Sequence, residues 1–182
     1  MDEEIILNKD GLQFIKYKKN NYSLHFVLEN NNIILPNIMD FSLIKLIHDL
    51  NPDIYENVKF EKINENEVIA NFLMKHFFED IGMPQHFTFF HIKKNIEESK
   101  IVFNINSIKT HRPINMPPES ELLDIKNLNI TCNIVSPHQL IINFVIILEE
   151  HIMVPIFAEK MIGMIINKIF KRIKQFIENI RI

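Results

Sequence analysis

The amino-acid sequence predicts a single α+β domain, built from a meander of antiparallel strands and one long C-terminal helix. Three observations predict it. Between residues 58 and 148, apolar and polar residues alternate with the period of two that is typical of strands. The joints between these alternating segments are short, as they are in antiparallel hairpins. From Pro155 to Ile180 the apolar residues recur at spacings of three and four, which is the period of an amphipathic helix.

The meander is preceded by a strand with an N-terminal extension. Tyr22, Leu24, Phe26 and Leu28 alternate with more polar residues and predict the strand. Residues 1–21 form the extension, in which residues 12–18 are predicted to add an edge strand. No internal repeat or linker divides residues 1–182, so one domain is expected.

A helix is predicted between this strand and the meander. Asp40 stands where it can cap the helix, and the Asn51-Pro52 pair stops it after Leu50. A further short helical turn is predicted over residues 54–57.

The meander contains six further predicted strands, which raises the total to about seven. They cover residues 58–64, 67–78, 85–94, 100–109, 124–135 and 139–148. Residues 111–121 interrupt the alternation with three prolines, which lack the N–H that strand pairing needs. We therefore expect a surface loop there. The long helix over residues 155–180 follows the last strand, and Gly163 permits a close approach in its more apolar first half.

This order of elements is similar to that of the START-like helix-grip superfamily, also called SRPBCC. The resemblance covers nearly the whole chain from about Tyr22 and lies in element order alone. It implies a curved antiparallel sheet wrapped around the C-terminal helix, with an apolar cavity between them. It also implies ligands of the superfamily's range, which are lipids, sterols, polyketides and plant hormones. No family motif is matched, so the resemblance assigns no functional residue.

One face of most predicted strands is almost wholly apolar, and these faces are expected to line the cavity beneath the helix. The residues predicted to form it are Phe72, Met74, His76, Phe78, Phe87, Phe89, His91, Phe103, Ile105, Phe144, Met161 and Ile165. His76 and His91 are its two polar members. A histidine among aromatic residues can orient a ligand head group or transfer a proton. The alternative is an ordinary solid core, with both histidines hydrogen-bonded to backbone or water.

Several kinds of chemistry are disfavoured by the composition. The three glycines are too scattered to build a phosphate-binding loop, and no histidine pair has helical metal-ligand spacing. We predict no catalytic residue, metal or cofactor. The net charge of −3 argues against nucleic acid as a partner. Cys132 is the only cysteine and is predicted to be a core residue. A chain that cannot form an internal disulfide and shows no visible targeting peptide is expected in the cytoplasm or nucleus.

Basic residues cluster late in the long helix. They are Lys168, Lys171, Arg172 and Lys174. Opposite the apolar face they could touch an anionic membrane as a peripheral contact. The alternative is a solvated face that complements the negative C-terminal end of the helix dipole.

Three functional hypotheses follow. The first is a non-enzymatic module that binds a hydrophobic or lipid-like molecule, gated by residues 111–121 or 33–40. The second is a structural or interaction protein with a filled core, which acts through a protein partner. The third, an enzyme, ranks last because no acid–base pair can be named. A carboxylate within hydrogen-bond reach of His76 or His91 would favour it.

Overall fold

An open antiparallel sheet and two helices make up the fold. The computed structural model describes residues 3–77, 79, 82, 84–113 and 116–181. Within that part of the chain the strands are β1 (Glu4–Lys9), β2 (Leu12–Lys18), β3 (Asn21–Glu29), β4 (Tyr55–Asn64), β5 (Glu67–Met74), β6 (His86–Glu97), β7 (Lys100–Ser107), β8 (Glu121–Leu122), β9 (Ile125–Ser136) and β10 (Gln139–Leu148). The helices are α1 (Ser42–Leu50), the long C-terminal α2 (Ile156–Glu178) and a short 3-10 helix (Leu35–Ile38).

The sheet is built largely from antiparallel hairpins with short joints. Nine strands lie in the order β1-β2-β3-β10-β9-β7-β6-β5-β4, and β8 pairs in parallel with β6. Two-residue joints connect β1 to β2, β2 to β3, β4 to β5, β6 to β7 and β9 to β10. At the first of these, Asp10 and Gly11 have φ values of 57° and 75°. Positive φ at both central residues is what the tightest hairpin turns require.

The predicted fold class is confirmed, with ten strands instead of about seven. The last strand has its predicted bounds, and α2 differs from its prediction by one or two residues at each end. β1 was missed because its side chains are largely exposed, so no apolar alternation marks it. β8 was missed because it contains only two residues. The helical turn predicted over residues 54–57 is wrong, since β4 begins at Tyr55.

The position of α2 leaves space over the middle of the sheet. Its backbone lies close to β1, β2 and β3 on one side and to α1 on the other. Gly163 makes the first approach tight, because a Cβ atom there would lie 3.2 Å from Phe14 Cδ1 and 3.3 Å from Ile6 Cγ2. The middle strands β10, β9, β7 and β6 therefore face α2 across a wider gap. We call the side of the sheet that α2 covers the inner face.

An ionic cluster joins α2 to the connection between α1 and β4. Arg172 binds both carboxylate oxygens of Asp53, and Lys168 Nζ lies 2.5 Å from Asp53 Oδ2. The hydrogen bond from Arg172, and then that from Lys168, holds the pKa of Asp53 well below its usual range. Asp53 therefore stabilises the fold in its charged form.

The Asp53 cluster makes stability depend on acidity. Because the folded-state pKa is depressed, the contribution is present above the unfolded value of about 4 and is lost as the pH falls through the lower folded value. Asp53 is 42% exposed, so we expect Asp53→Asn to cost only about 1 kcal/mol at pH 7. Urea unfolding at pH 7, 4 and 3 should show this cost shrinking toward pH 3. A cost that is constant with pH would contradict the assignment, and Asp49→Asn is the control.

Candidate functional site

A cavity of about 540 Å³ lies between the inner face and α2. Its wall is almost wholly apolar and includes eleven aromatic side chains. The aromatic members are Phe14, Tyr22, Phe26, Phe41, Tyr55, Phe72, Phe77, Phe90, Phe103, Phe144 and Phe170. The helix contributes residues at spacings of three and four, among them Ile162, Ile166, Ile169 and Ile173. This volume falls within the roughly 300–1,000 Å³ that small-molecule sites usually have.

Six of the residues predicted from the sequence lie in this wall. They are Phe72, Met74, Phe103, Ile105, Phe144 and Ile165. Cys132, expected in the core, is 2% exposed and also reaches the wall. Burial raises the pKa of its thiol to about 12, so it is present as the unreactive thiol. Phe78 lies outside the described residues.

The prediction for β6 is wrong by one residue of register. Phe87 and Phe89 belong to a second cluster with Leu73, and the residues of β6 in the cavity wall are His86, Thr88, Phe90 and Ile92. Because directly paired residues of neighbouring strands share a face, the pairing of Phe72 with Thr88 places Thr88 on the inner face. Phe87, Phe89 and His91 therefore lie on the outer face.

Described residues of the loop over residues 111–121 cover this second cluster, which explains why both faces of β6 are apolar. The Arg112 guanidinium lies 5.0 Å from the centre of the Phe87 ring, and His111 packs edge-on against Phe89 with ring centres 5.2 Å apart. β6 is thus apolar on both faces, so alternation alone does not separate them. The described residues of the loop contact the outer face, and none of them lies in the cavity wall. Met39 and Asp40, at the end of the other predicted gate, do lie in the wall.

The remaining predicted residues lie outside the cavity wall. β5 ends at Met74, so His76 follows the strand and is exposed, while Met161 is half-buried on α2. His91 Nε2 lies 2.9 Å from Glu67 Oε2. This is a histidine–carboxylate pair of the kind that would favour an enzyme, but it lies on the outer face, away from the cavity.

The structure adds a buried ionic group that the sequence did not reveal. Glu159, in the first turn of α2, is 6% exposed. Its Oε1 accepts hydrogen bonds from Lys16 Nζ at 2.6 Å and from the Tyr22 hydroxyl at 2.7 Å. Burial, and then this bond, raises the pKa of Tyr22, which keeps the phenol protonated as a donor. The carboxylate therefore already has two partners from β2 and β3.

Three further polar groups of the wall lie on strands at the β4 side of the sheet. They are Tyr55 on β4 and His86 and Thr88 on β6. Burial raises the pKa of Tyr55 and lowers the pKa of the His86 imidazole, which favours the uncharged form of both. The two-residue joint between β6 and β7 could have revealed His86 and Thr88. Because the joint is so short, it sets the register in which Ile92 of β6 pairs with Ile105 of β7. Ile105 lies on the inner face, so Ile92, and with it Thr88 and His86, lie there too.

One end of the cavity is lined by exposed apolar side chains. Met153, just before α2, is 82% exposed, and Phe77, after β5, is 40% exposed. Lys75 and Pro84, which lie between β5 and β6 in the chain, also line the cavity. The first turn of α2 adds the exposed residues Ile156 and Phe157 next to Met153. The apolar surface therefore continues from the cavity wall to the outside of the protein.

The basic residues of the late helix have acidic or carbonyl partners. Lys168 and Arg172 bind Asp53, and Lys171 lies 3.0 Å from Asp10 Oδ2. Lys174 contacts Glu178 and donates to the Val27 carbonyl oxygen at 2.6 Å. Their charge is thus largely compensated inside the protein. Among the described residues, no helix is both long enough and apolar enough to cross a bilayer.

The comparisons with known proteins rest on structure. No protein-family model matches the chain, and no curated protein matches it in sequence. It superposes on the human StarD13 (DLC2) lipid transfer and protein localization domain with a TM-score of 0.73, at 8% identity, over 98% of this chain and 90% of that one.

Two further solved structures give the same result. A STAR-related lipid transfer protein from Xanthomonas axonopodis matches with a TM-score of 0.66, at 8% identity, over 94% of each chain. Human StAR-related lipid transfer protein 5 matches with a TM-score of 0.61, at 12% identity, over 96% of this chain and 87% of that one. The chain therefore has the helix-grip fold of START-type domains.

Proposed function

We propose that the protein binds a hydrophobic, lipid-like small molecule in the cavity between sheet and α2. The observation that carries this proposal is the apolar cavity of about 540 Å³. A well-packed core leaves few voids larger than a water molecule, so a space of this size argues against the filled core of an interaction protein. The likeness in fold to solved lipid-transfer proteins supports the same reading.

The chemistry of the wall supports an apolar ligand. An apolar space holds water poorly, since water needs two to four polar partners, and such spaces take up apolar molecules instead. Each methylene group of a ligand moved from water into the cavity contributes about 0.8 kcal/mol. The carboxylate of Glu159 in the wall is already bound by Lys16 and Tyr22, so we propose binding without reaction at this site.

We propose that the ligand exchanges at the end of the cavity marked by Phe77 and Met153. Exposed apolar side chains at that end can enter the interfacial layer of a bilayer. The adjoining side chains Ile156 and Phe157 extend the same surface. We assign peripheral membrane contact to this end, because the charges of the late helix are paired within the protein.

Binding can be measured with a neutral fluorescent probe. N-phenyl-1-naphthylamine brightens in apolar surroundings, and we expect one saturable site that is emptied by 1-dodecanol. The chain has no tryptophan. Ile130 lies in the cavity wall on β9, so Ile130→Trp places a single indole beside the bound probe. We expect energy transfer from this indole, and an affinity about tenfold lower because the larger side chain overfills the site.

The matched control places the same indole on the other side of the sheet. Val145 lies on β10, is 38% exposed and is absent from the cavity wall, so Val145→Trp should leave the probe's affinity unchanged. Equal affinities for the two variants, or no saturable binding in the unmodified chain, would contradict the proposed function.

A further inference from the structure

Two hydroxyl groups of the cavity wall have no hydrogen-bond partner among the described residues. Thr88 is 7% exposed, Tyr55 is half-buried, and both residues line the cavity wall. Within the described residues, neither hydroxyl donates to or accepts from a side chain or backbone group. Buried polar groups are nearly always hydrogen-bonded, and leaving one unpaired is costly. These two hydroxyls are therefore available to hydrogen-bond to a molecule inside the cavity.

Tyr55 and Thr88 flank one phenylalanine on the β4 side of the cavity. Thr88 pairs directly with Phe72 across β6 and β5, which puts their Cβ atoms about 5 Å apart. The Tyr55 ring packs against the Phe72 ring from β4, with centres 5.7 Å apart. His86 lies two residues from Thr88 on the same face, and burial favours its uncharged form. The β4 side of the cavity thus presents a neutral, hydrogen-bonding spot in an apolar wall.

The charges around the cavity disfavour a charged ligand group at this spot. The Glu159 carboxylate is already bound by Lys16 and Tyr22 at the β2–β3 side. Lys75 and Asp40 are the other charged groups of the described wall. Lys75 is exposed, and Asp40 Oδ1 accepts a hydrogen bond from the Ser42 N–H at the start of α1. A charged head group drawn into the cavity would therefore lack a buried counter-ion, and an unpaired buried charge is strongly unfavourable.

We infer that the ligand is an uncharged amphiphile, with an apolar body in the cavity and a hydroxyl or carbonyl oxygen that hydrogen-bonds to Tyr55 and Thr88. This inference rests on the proposed function and adds the chemical class of the ligand. An alcohol oxygen can accept from one of the two hydroxyls and donate to the other, whereas a hydrocarbon can do neither.

The test compares three ligands of equal chain length, 1-dodecanol, n-dodecane and dodecanoate, by displacement of N-phenyl-1-naphthylamine. Tyr55→Phe and Thr88→Val remove one hydroxyl each and keep the shape of the side chain. Each substitution should weaken dodecanol about two- to tenfold, the effect of one neutral hydrogen bond, and should leave dodecane unchanged. At pH 8, where dodecanoate is ionised, it should bind more weakly than dodecanol.

Matched controls remove the same groups outside the cavity. Tyr17 on β2 and Thr131 on β9 are absent from the cavity wall. Tyr17→Phe and Thr131→Val should therefore leave all three affinities unchanged. Dodecanol binding that is insensitive to Tyr55→Phe and Thr88→Val, or dodecanoate binding that exceeds it, would overturn the inference while dodecane binding still supported the cavity. Failure of dodecane and dodecanol alike to displace the probe would instead remove the proposed function.

Discussion

Replacement of Phe144 by alanine should lower the free energy of unfolding by about 3 kcal/mol. Phe144 is 9% exposed on β10, and its ring meets the ring of Phe170 on α2 with centres 4.4 Å apart. The pair is one of the contacts that hold the helix over the middle strands. Truncation removes the buried ring and the aromatic contact and leaves a larger cavity, which together account for the cost.

Urea unfolding followed by circular dichroism measures this effect, and Val145→Ala is its neighbouring control. Val145 is 38% exposed and lies outside the cavity wall, so its truncation should cost well under 1 kcal/mol. Similar costs for the two variants would show that α2 does not pack over β10 as described.

Replacement of Lys16 by methionine should lower the free energy of unfolding by about 2–4 kcal/mol. The Glu159 carboxylate would keep only its bond from Tyr22, 2.7 Å away, in a site where it is 6% exposed. Breaking one half of a buried ion pair is costly because the other charge stays buried without compensation. The Lys16 side chain is 23% exposed, which places the expected cost toward the lower end.

A double variant separates the loss of a partner from the loss of packing. Lys16→Met combined with Glu159→Leu removes both charges, and we expect it to recover most of the lost stability. Lys171→Met is the surface control, since Lys171 is 37% exposed and its pair with Asp10 should contribute at most about 1 kcal/mol. A double variant that is less stable than Lys16→Met alone would contradict this account.

The sequence was most informative where one periodicity ran over a long segment. β10 and α2 were both predicted closely because alternation and helical spacing each continue without interruption over ten residues or more. The order of these elements was sufficient to indicate the helix-grip fold. Periodicity cannot measure the distance between sheet and helix, so it could not show whether the space between them is filled.

One prediction that failed was the assignment of the inner and outer faces of β6. Its segment His86–Glu97 is apolar on both faces, and the connection that precedes it is too long to transmit the face assignment from β5. The outer cluster is covered in part by Arg112 and His111, which follow β7 in the chain and contact Phe87 and Phe89. Such coverage is a tertiary property. Phe87, Phe89 and His91 were consequently assigned to the wrong face of the sheet.

Asparagine was likewise uninformative in a chain that uses it so often. Asn30 Nδ2 nevertheless donates to the carbonyl oxygens of Ile177 and Ile180 at 2.6 and 3.1 Å, which satisfies the end of α2. Asn20 Nδ2 donates to the carbonyl oxygens of Glu149 and Ile152, both at 2.8 Å, and so holds the segment before α2. These partners lie more than 100 residues away, and no local pattern distinguishes these two asparagines from the others.

Native mass spectrometry of the protein purified from cells tests the central claim most directly. We expect a single stoichiometric adduct of a small apolar molecule, released by denaturing extraction and replaced after incubation with 1-dodecanol. The Ile130→Trp variant should carry less of this adduct than Val145→Trp. A protein mass without adduct, unchanged after incubation with dodecanol and dodecane, would contradict the claim that the cavity is a binding site.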